Sequence, residues 1–383
     1  MKRLLDNIFM WRKKWSALNK LKRAENEIRE LWETTRTEHS KSFDEVMQDL
    51  RFLIKGGKAF PVRTMIPLYF QFRLQKRGAR LQDYIFTSEW VSTVVPLREW
   101  AKEDCDILND KIRACEYLAA HGIAVSRQYG KVIDSSSDIV IQDKDGSTLL
   151  LKPLLEKEGK LFAKPHDGIQ GIGCFLISYI DDEYCLANDE KLSYTELKKR
   201  MPAGYLVEQV LRNHPTINAI YPFALNTVRI VTMRDTNGKC HYVSGFHRFG
   251  VGGATVDNAH SGGVAVGLDA ENGCWKKYVF ADNATYCNTK HPDSGFVFEN
   301  KPIPYFKEAV ELALRAHDVF KKVQAVGWDV AITPEGPLIT EGNHNFWYLG
   351  NQFIDKPIRR DFDAMTVPCQ QAVLAGRNPL PMP

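Results

Sequence analysis

Apolar and polar positions change their period along the chain. From Phe43 to about Trp100 apolar residues recur at helical spacing, with breaks at Gly56-Gly57, Pro61 and Pro67, which predicts a helical N-terminal region. One more helix is expected over Asp110 to Gly122, after which short runs separated by glycine and proline predict strands. Tyr205 to Leu211 alternates as an edge or hinge strand does, and Asn226 to Thr232 reads as the antiparallel neighbour of Ser244 to Phe249. The helical period returns over Pro304 to Lys322. Two apolar runs come next, Val323 to Val330 and Pro337 to Thr340, joined by a turn at Pro334-Glu335-Gly336. Asp361 to Ala375 predicts a closing helix, and Asn378 to Pro383 a frayed tail. There is no internal repeat and no low-complexity tract.

A chain of 383 residues with 44% hydrophobic content buries a sizeable core and divides into two or three domains. Net charge of +4 is mild and concentrated at one end, with no base-stacking motif, which argues against a nucleic-acid partner. Between Met1 and Arg23 eight Lys or Arg residues face one acid, Asp6, and alternate with Leu4, Leu5, Ile8, Phe9, Trp11 and Trp15. Such a basic amphipathic helix suits either an anionic membrane surface or docking on the protein body or a second subunit. The eight cysteines show neither C-x-x-C spacing nor disulfide density, so they are expected reduced, in a cytoplasmic protein, peripheral at the inner face of the membrane if the basic helix binds lipid. No run approaches the ~20 apolar residues of a membrane span, and no secretory signal is visible.

Three constellations carry candidate chemistry. Asp329 and Glu341 end the two apolar runs and sit at matching heights on paired strands, with Asn343 beside them. Two carboxylates and an amide oxygen suit magnesium better than zinc; the alternative is a hairpin with solvated acids. Lys164 leads into a loop with Gly168, Gly171 and Gly173, where backbone N–H groups can approach an anion and the lysine adds charge for an α- or β-phosphate. No Gly-Lys-Ser/Thr comes after it, so it is not a P-loop; a plain flexible hairpin is the alternative. Arg229 and Arg248 lie in strands and need anionic partners, either transferred phosphate or nearby acids. Asn258 and Gly262-Gly263 form a loop of small residues near them. Glu208 in the alternating strand can accept from an adenine amine while the backbone of Gln209 and Val210 pairs with the base edge, and His214 can reach a ribose.

In order and spacing, these parts resemble the ATP-grasp superfamily, and within it the sugar-transfer-associated group; the C-terminal half is similar to α-L-glutamate ligases. The resemblance covers about residues 105 to 350. It implies an ATP-grasp fold in which two α+β subdomains clasp ATP: a lid over 130–210, a core over 105–129 and 211–383, and residues 1–104 as a helical extension. It implies that Lys111 and Lys164 hold phosphates, Glu208 marks the adenine hinge and His214 lies in the ribose region. Asp329, Glu341 and Asn343 match magnesium ligands, Glu341 bridging two ions, and Arg229 and Arg248 neutralise the transferred group. The implied activity is ATP-dependent joining of a small carboxylate to an amine through an acyl phosphate, with sugar-linked substrates of cell-surface polysaccharide synthesis and a homo-oligomer among the expectations. A hydroxyl kinase and a non-catalytic nucleotide-binding partner of a glycosyltransferase are the alternatives. On this reading, Asp329→Asn, Glu341→Gln or Lys164→Ala abolishes ATP turnover with the fold intact.

Two departures stand out. Gly327 replaces the arginine that some D-alanine-dipeptide ligases carry two residues before the metal aspartate, with Arg248 as substitute. Where peptide ligases continue from the metal asparagine with Ser-Pro-Gly, this chain has His344-Asn345-Phe346-Trp347-Tyr348-Leu349-Gly350. The aromatics either stack on sugar rings, with His344 and Asn345 bonding hydroxyls, or fill the core.

Overall fold

The short alternating runs between residues 128 and 209 form eight strands: β1 Gln128–Asp134, β2 Val140–Gln142, β3 Thr148–Leu150, β4 Lys160–Pro165, β5 Phe175–Ile180, β6 Glu183–Leu186, β7 Lys191–Leu192 and β8 Tyr205–Gln209. They pair into one sheet in the order β3-β2-β1-β8-β4-β5-β6-β7. The structure, a computed structural model, describes residues 16–36, 40–55, 66, 69–70, 74, 78–166, 172–187, 190–258, 262–281, 287–346 and 348–380. Gly168 and Gly171, expected to cradle phosphate, lie outside the described residues, as does Trp347.

A second sheet contains β9 Thr227–Arg234, β10 Cys240–Phe249, β11 Val264–Asp269, β12 Cys274–Ala281, β13 Cys287–Asn288, β14 Ala325–Thr333 and β15 Gly336–Asn343. Its order is β13-β12-β11-β10-β9-β14-β15. Every residue of β9 and β14 is buried, because both faces of the sheet centre are covered. One face presents Val228, Ile230, Trp328, Val330 and Ile332 to the helix Phe306–Val319, whose Ala309, Leu312, Ala313 and Ala316 recur at helical spacing. Trp328 is fully buried and donates from Nε1 to Thr232 Oγ1 at 3.0 Å; truncating such a residue to Ala costs about 3–5 kcal/mol.

The other face is covered by the N-terminal helical region. Helices α1 Glu25–Thr35, α2 Phe43–Lys55 and α3 Thr87–Trp100 supply Ile28, Leu50 and Trp90 to a cluster that also holds Val231, Met233, Phe246, Phe346, Tyr348 and Phe353. Gln352 ties the regions together, accepting from Ile85 N at 2.7 Å and donating to Ile85 O at 2.8 Å. Arg359 pairs with Glu89 at 2.9 Å. Residues 16–23 are helical, with Leu21 buried and Ala17 and Leu18 packed on the same core, while Lys20, Lys22 and Arg23 are exposed. This stretch of the basic segment therefore docks on the body; residues 1–15 lie outside the described residues.

Helix α4, Lys102–Asn109, runs into α5, Lys111–Ala120. Asp110 starts α5 by accepting from Ile112 N and Arg113 N at 3.0 and 3.1 Å, and Gly122, at φ 71°, ends the turn after it. The closing helix is broken into Arg359–Asp361, a π turn Phe362–Thr366 and Val367–Leu374. Cys105, Cys115, Cys174, Cys185, Cys240, Cys274 and Cys369 are free thiols. Among the described residues no helix is long and apolar enough to cross a membrane.

Of the two expectations for the Tyr205 strand, edge or hinge, the edge fails: β8 is paired with β1 on one side and β4 on the other. Its polar positions alternate because Glu208 faces a cleft of charged side chains, not because a flank is open. The ladder gives out only at Val210, since Gln209 N still donates to Arg127 O at 2.9 Å.

Candidate functional site

Strand register brings the charged residues of the second sheet onto one face. Asp329 of β14 stands opposite Arg229 of β9 on one side and Glu341 of β15 on the other. Arg229 in turn faces Phe246 of β10, so Arg248, two residues on, shares that face. By the same period Asn343 lies on the side of Glu341. A bulge after Asp329 shifts the register to Ile339, and Thr340 Oγ1 donates to Asp329 O at 3.0 Å, which fixes the kink beside the acids.

Arg229 donates from Nε and Nη2 to the two Asp329 oxygens at 2.5 and 3.1 Å, and Arg248 Nη2 meets Asp329 Oδ2 at 3.0 Å. Burial pushes the Asp329 carboxyl upward, but the two guanidiniums outweigh it and hold it below the usual carboxylate range. Arg248 also donates to Thr227 Oγ1 at 2.5 Å and Asn258 Oδ1 at 3.5 Å, and lies 3.4 Å from Asp257 Oδ2. Burial opposes its charge; Asp257 and Asp329 more than restore it and raise its pKa. Both arginines are thus satisfied by nearby acids, one of the two partners the sequence leaves open. The side chains of Glu341 and Asn343 enter no hydrogen bond or ion pair among the described residues.

The first sheet contributes a second buried pair. Lys164 Nζ lies 2.8 Å from Glu208 Oε1, with the two side chains 15% and 6% exposed. The pair is diagonal across β4 and β8, where Phe162 faces Glu208 and Lys164 faces Leu206. Gln128 Nε2 donates to the same Glu208 oxygen at 3.0 Å and to the Lys111 carbonyl at 3.3 Å. Burial disfavours the Lys164 charge, yet Glu208, helped by Glu341, raises its pKa. The sheets meet where Ile339 N donates to Ala124 O at 2.9 Å and Ser126 N to Ile339 O at 3.3 Å, just ahead of β1. Lys111, Lys164 and Glu208 are thereby brought toward Glu341. His214 stands at the start of the short helix Pro215–Asn218, where its Nδ1 accepts from Thr216 N at 3.2 Å and its ring meets Tyr305 edge-on. Only Nε2 is left for a ligand.

Several contributors escape the sequence reading. Asp257, 7% exposed, accepts from Thr227 N and Oγ1 at 2.8 and 2.6 Å and helps aim Arg248. Gln128 and His166, whose Nε2 lies 3.3 Å from Asp110 Oδ1, are others. Single polar residues of this kind carry no spacing signal. Phe346 and Tyr348 of the aromatic run resolve as core, 4% and 8% exposed, and Tyr348 stacks on Trp90 at 4.4 Å. They offer no platform to a sugar. His344 turns away too, its Nε2 2.9 Å from Asn109 Oδ1. Phe346 also explains Gly327, because a Cβ there would come within 2.8 Å of the Phe346 Cβ. No side chain fits where some ligases place an arginine.

The donors fit magnesium. Asp329, Glu341 and Asn343 offer oxygen only, and two of the three are uncommitted. Among the described residues no three His, Cys, Asp or Glu side chains gather as a metal group.

Residues 97–358 match the family model described as sugar-transfer associated ATP-grasp. No match was found among curated proteins. Among solved structures, N5-carboxyaminoimidazole synthase from Aspergillus clavatus, in complex with ADP and 5-aminoimidazole ribonucleotide, is 13% identical over 73% of this chain and 54% of that one, with a TM-score of 0.40. The L-amino acid ligase of Bacillus licheniformis is 12% identical over 65% and 43%, with a TM-score of 0.34. The D-alanine–D-alanine ligase of Coxiella burnetii is 13% identical over 62% and 48%, with a TM-score of 0.33. The chain spans about half the length of these structures. With most of its length matched by the family model, the chain belongs to the sugar-transfer associated ATP-grasp family.

Proposed function

We propose that this protein is an ADP-forming ligase that activates a carboxylate with ATP and passes the acyl group to an amine. The observation that carries the reading is the row Glu341, Asp329, Arg229 across three adjacent strands, with Arg248 beside it. In this reading residues 130–210 act as the lid, 105–129 with 211–383 as the core, and 1–104 as the helical extension. Adenine lies against Glu208, Gln209 and Val210, the phosphates between Lys111, Lys164 and the glycine loop, and the ribose toward His214.

The chemistry is dictated by charge. A substrate carboxylate oxygen attacks the γ-phosphorus of ATP, the bond to the β-phosphate oxygen breaks, and ADP leaves an acyl phosphate. Arg229 and Arg248 donate to the transferring oxygens and reduce the repulsion between two anions. Asp329, Glu341 and Asn343 would hold magnesium, which supplies further charge neutralisation at the phosphates. An amine then adds to the acyl carbon; Arg248, steadied by Asp257 and Asn258, stabilises the tetrahedral oxyanion, phosphate departs and the nitrogen loses a proton. A sugar-linked acid or amine rests on the family's description and not on Phe346 or Tyr348, which are core. Contact with an anionic membrane would fall to residues 1–15, since Leu21 is committed to the body.

The test is ADP release from ATP with panels of acids and amines, with mass analysis of the products. Release that needs both substrates and yields an amide is expected, with Glu341→Gln lowering it ~10²-fold or more. A phosphorylated hydroxyl with no amide would make the protein a kinase.

A further inference from the structure

Arg98 on α3 is a largely buried guanidinium with no acid of its own. Its Nη2 donates to the His344 carbonyl at 3.0 Å, and its Nε is buried without a partner. Burial lowers its pKa, with only the Cys105 thiol acting the other way. Such a group is costly to keep, so its one strong bond is informative, and that bond goes to the residue after Asn343.

At Asn343 the ladder ends, with Gly327 opposite. The residue before it is clamped: a Cβ on Gly342 would lie 2.5 Å from the Trp328 ring and 3.1 Å from Leu108 of α4. The residue after it is tethered twice, by Arg98 at its carbonyl and by Asn109 of α4 at its ring. Because an amide oxygen only accepts, His344 Nε2 carries the hydrogen and Nδ1 is left as a buried acceptor. Arg98 and His344 both line one cavity of about 10 Å³, with Val94, Leu97, Ala101 and Cys105 among its walls.

We propose that Arg98 is a positioning residue of the divalent-cation site: through the His344 carbonyl it sets how the Asn343 amide meets the ion, and so makes helix α3 part of the ATP site. This rests on the assignment of Asp329, Glu341 and Asn343 as the cation donors. A tether on the main chain beside a ligand acts as outer-shell support does elsewhere, where its loss costs about 10- to 100-fold in metal affinity.

The test uses Mn²⁺ alone and with ADP, its binding to the full chain read by electron paramagnetic resonance. The variants are Arg98→Met, Arg98→Lys and Glu341→Gln, each checked for cooperative thermal unfolding. Methionine replaces a buried charge with an apolar chain that ends near the Nε position and is compatible with folding; lysine reaches one atom further, still ends short of the Nη2 position and loses the bond. Both Arg98 variants are expected to bind Mn²⁺ about tenfold or more weakly, with metal-free ADP affinity unchanged, and Glu341→Gln more weakly still. A folded Arg98 variant that binds Mn²⁺ like the parent, while Glu341→Gln does not, overturns the proposal and leaves the cation site standing. Parent-like binding by Glu341→Gln overturns both. Should one Arg98 variant fail to fold, the other decides on the same criterion.

Discussion

Asp329 and Glu341 face each other but answer to different neighbours. Asp329 holds two buried arginines, whereas Glu341 makes no ion pair among the described residues. Removing one member of a buried pair costs about 3–5 kcal/mol. Asp329→Asn is therefore expected to lower stability by about that amount, and Glu341→Gln to leave it nearly unchanged, as urea unfolding would measure. Lys164→Ala falls with Asp329→Asn, because Glu208 would lose its cation. Of the three changes expected to spare the fold, Glu341→Gln is the one whose effect on turnover would be read with stability least altered. These residues were legible because a charge inside an apolar period-two run stands out. Asp257 was not legible: its value comes from the loop that returns it to Thr227, and a lone aspartate in sequence says nothing of that return.

Among elements, the hairpin of β14 and β15 emerges from its apolar runs and turn residues, and its register places Asp329 against Glu341 as the spacing implies. The surroundings were less visible. Trp90 stacks on Tyr348 from a helix some 250 residues earlier in the chain, so no local pattern could assign Tyr348 to the core. β8 misleads for a related reason, since alternation reports what each face meets and not whether a flank is free. The contact of Gly327 with Phe346 gives a test at this scale. Gly327→Ala forces a methyl into the Phe346 side chain and is expected to cost about 1–3 kcal/mol. Adding Phe346→Ala, which removes the ring contacts at 2.9 and 3.2 Å and keeps the Cβ, should cost less than the sum of the two single changes; strict additivity in a double-mutant cycle would mean that the ring takes no part in the clash.

Across the whole molecule, the N-terminal helices and the second sheet share one core, so the helical region is integral to the site-bearing half. Acid should dismantle that half by a traceable route. His247 and His317 are fully buried, and burial lowers each pKa from 6.5 to about 3. Both are neutral when folded, so the unfolded chain binds the extra protons. Their contribution is complete above pH ~6.5 and is lost as pH falls toward about 3, at about 1.4 kcal/mol per pH unit for each. Urea midpoints at pH 7.5 and pH 5 should differ accordingly, and His317→Gln should flatten the dependence. The central claim is that Lys164 and Glu208 of one sheet and Asp329, Glu341 and Asn343 of the other serve a single nucleotide. A crystal structure with Mn²⁺ and ADP tests it most directly through the anomalous signal of the ion. The ion should lie on Glu341 and Asn343, with adenine beside Val210 and a phosphate on Lys164; nucleotide or ion bound away from these residues would contradict the account.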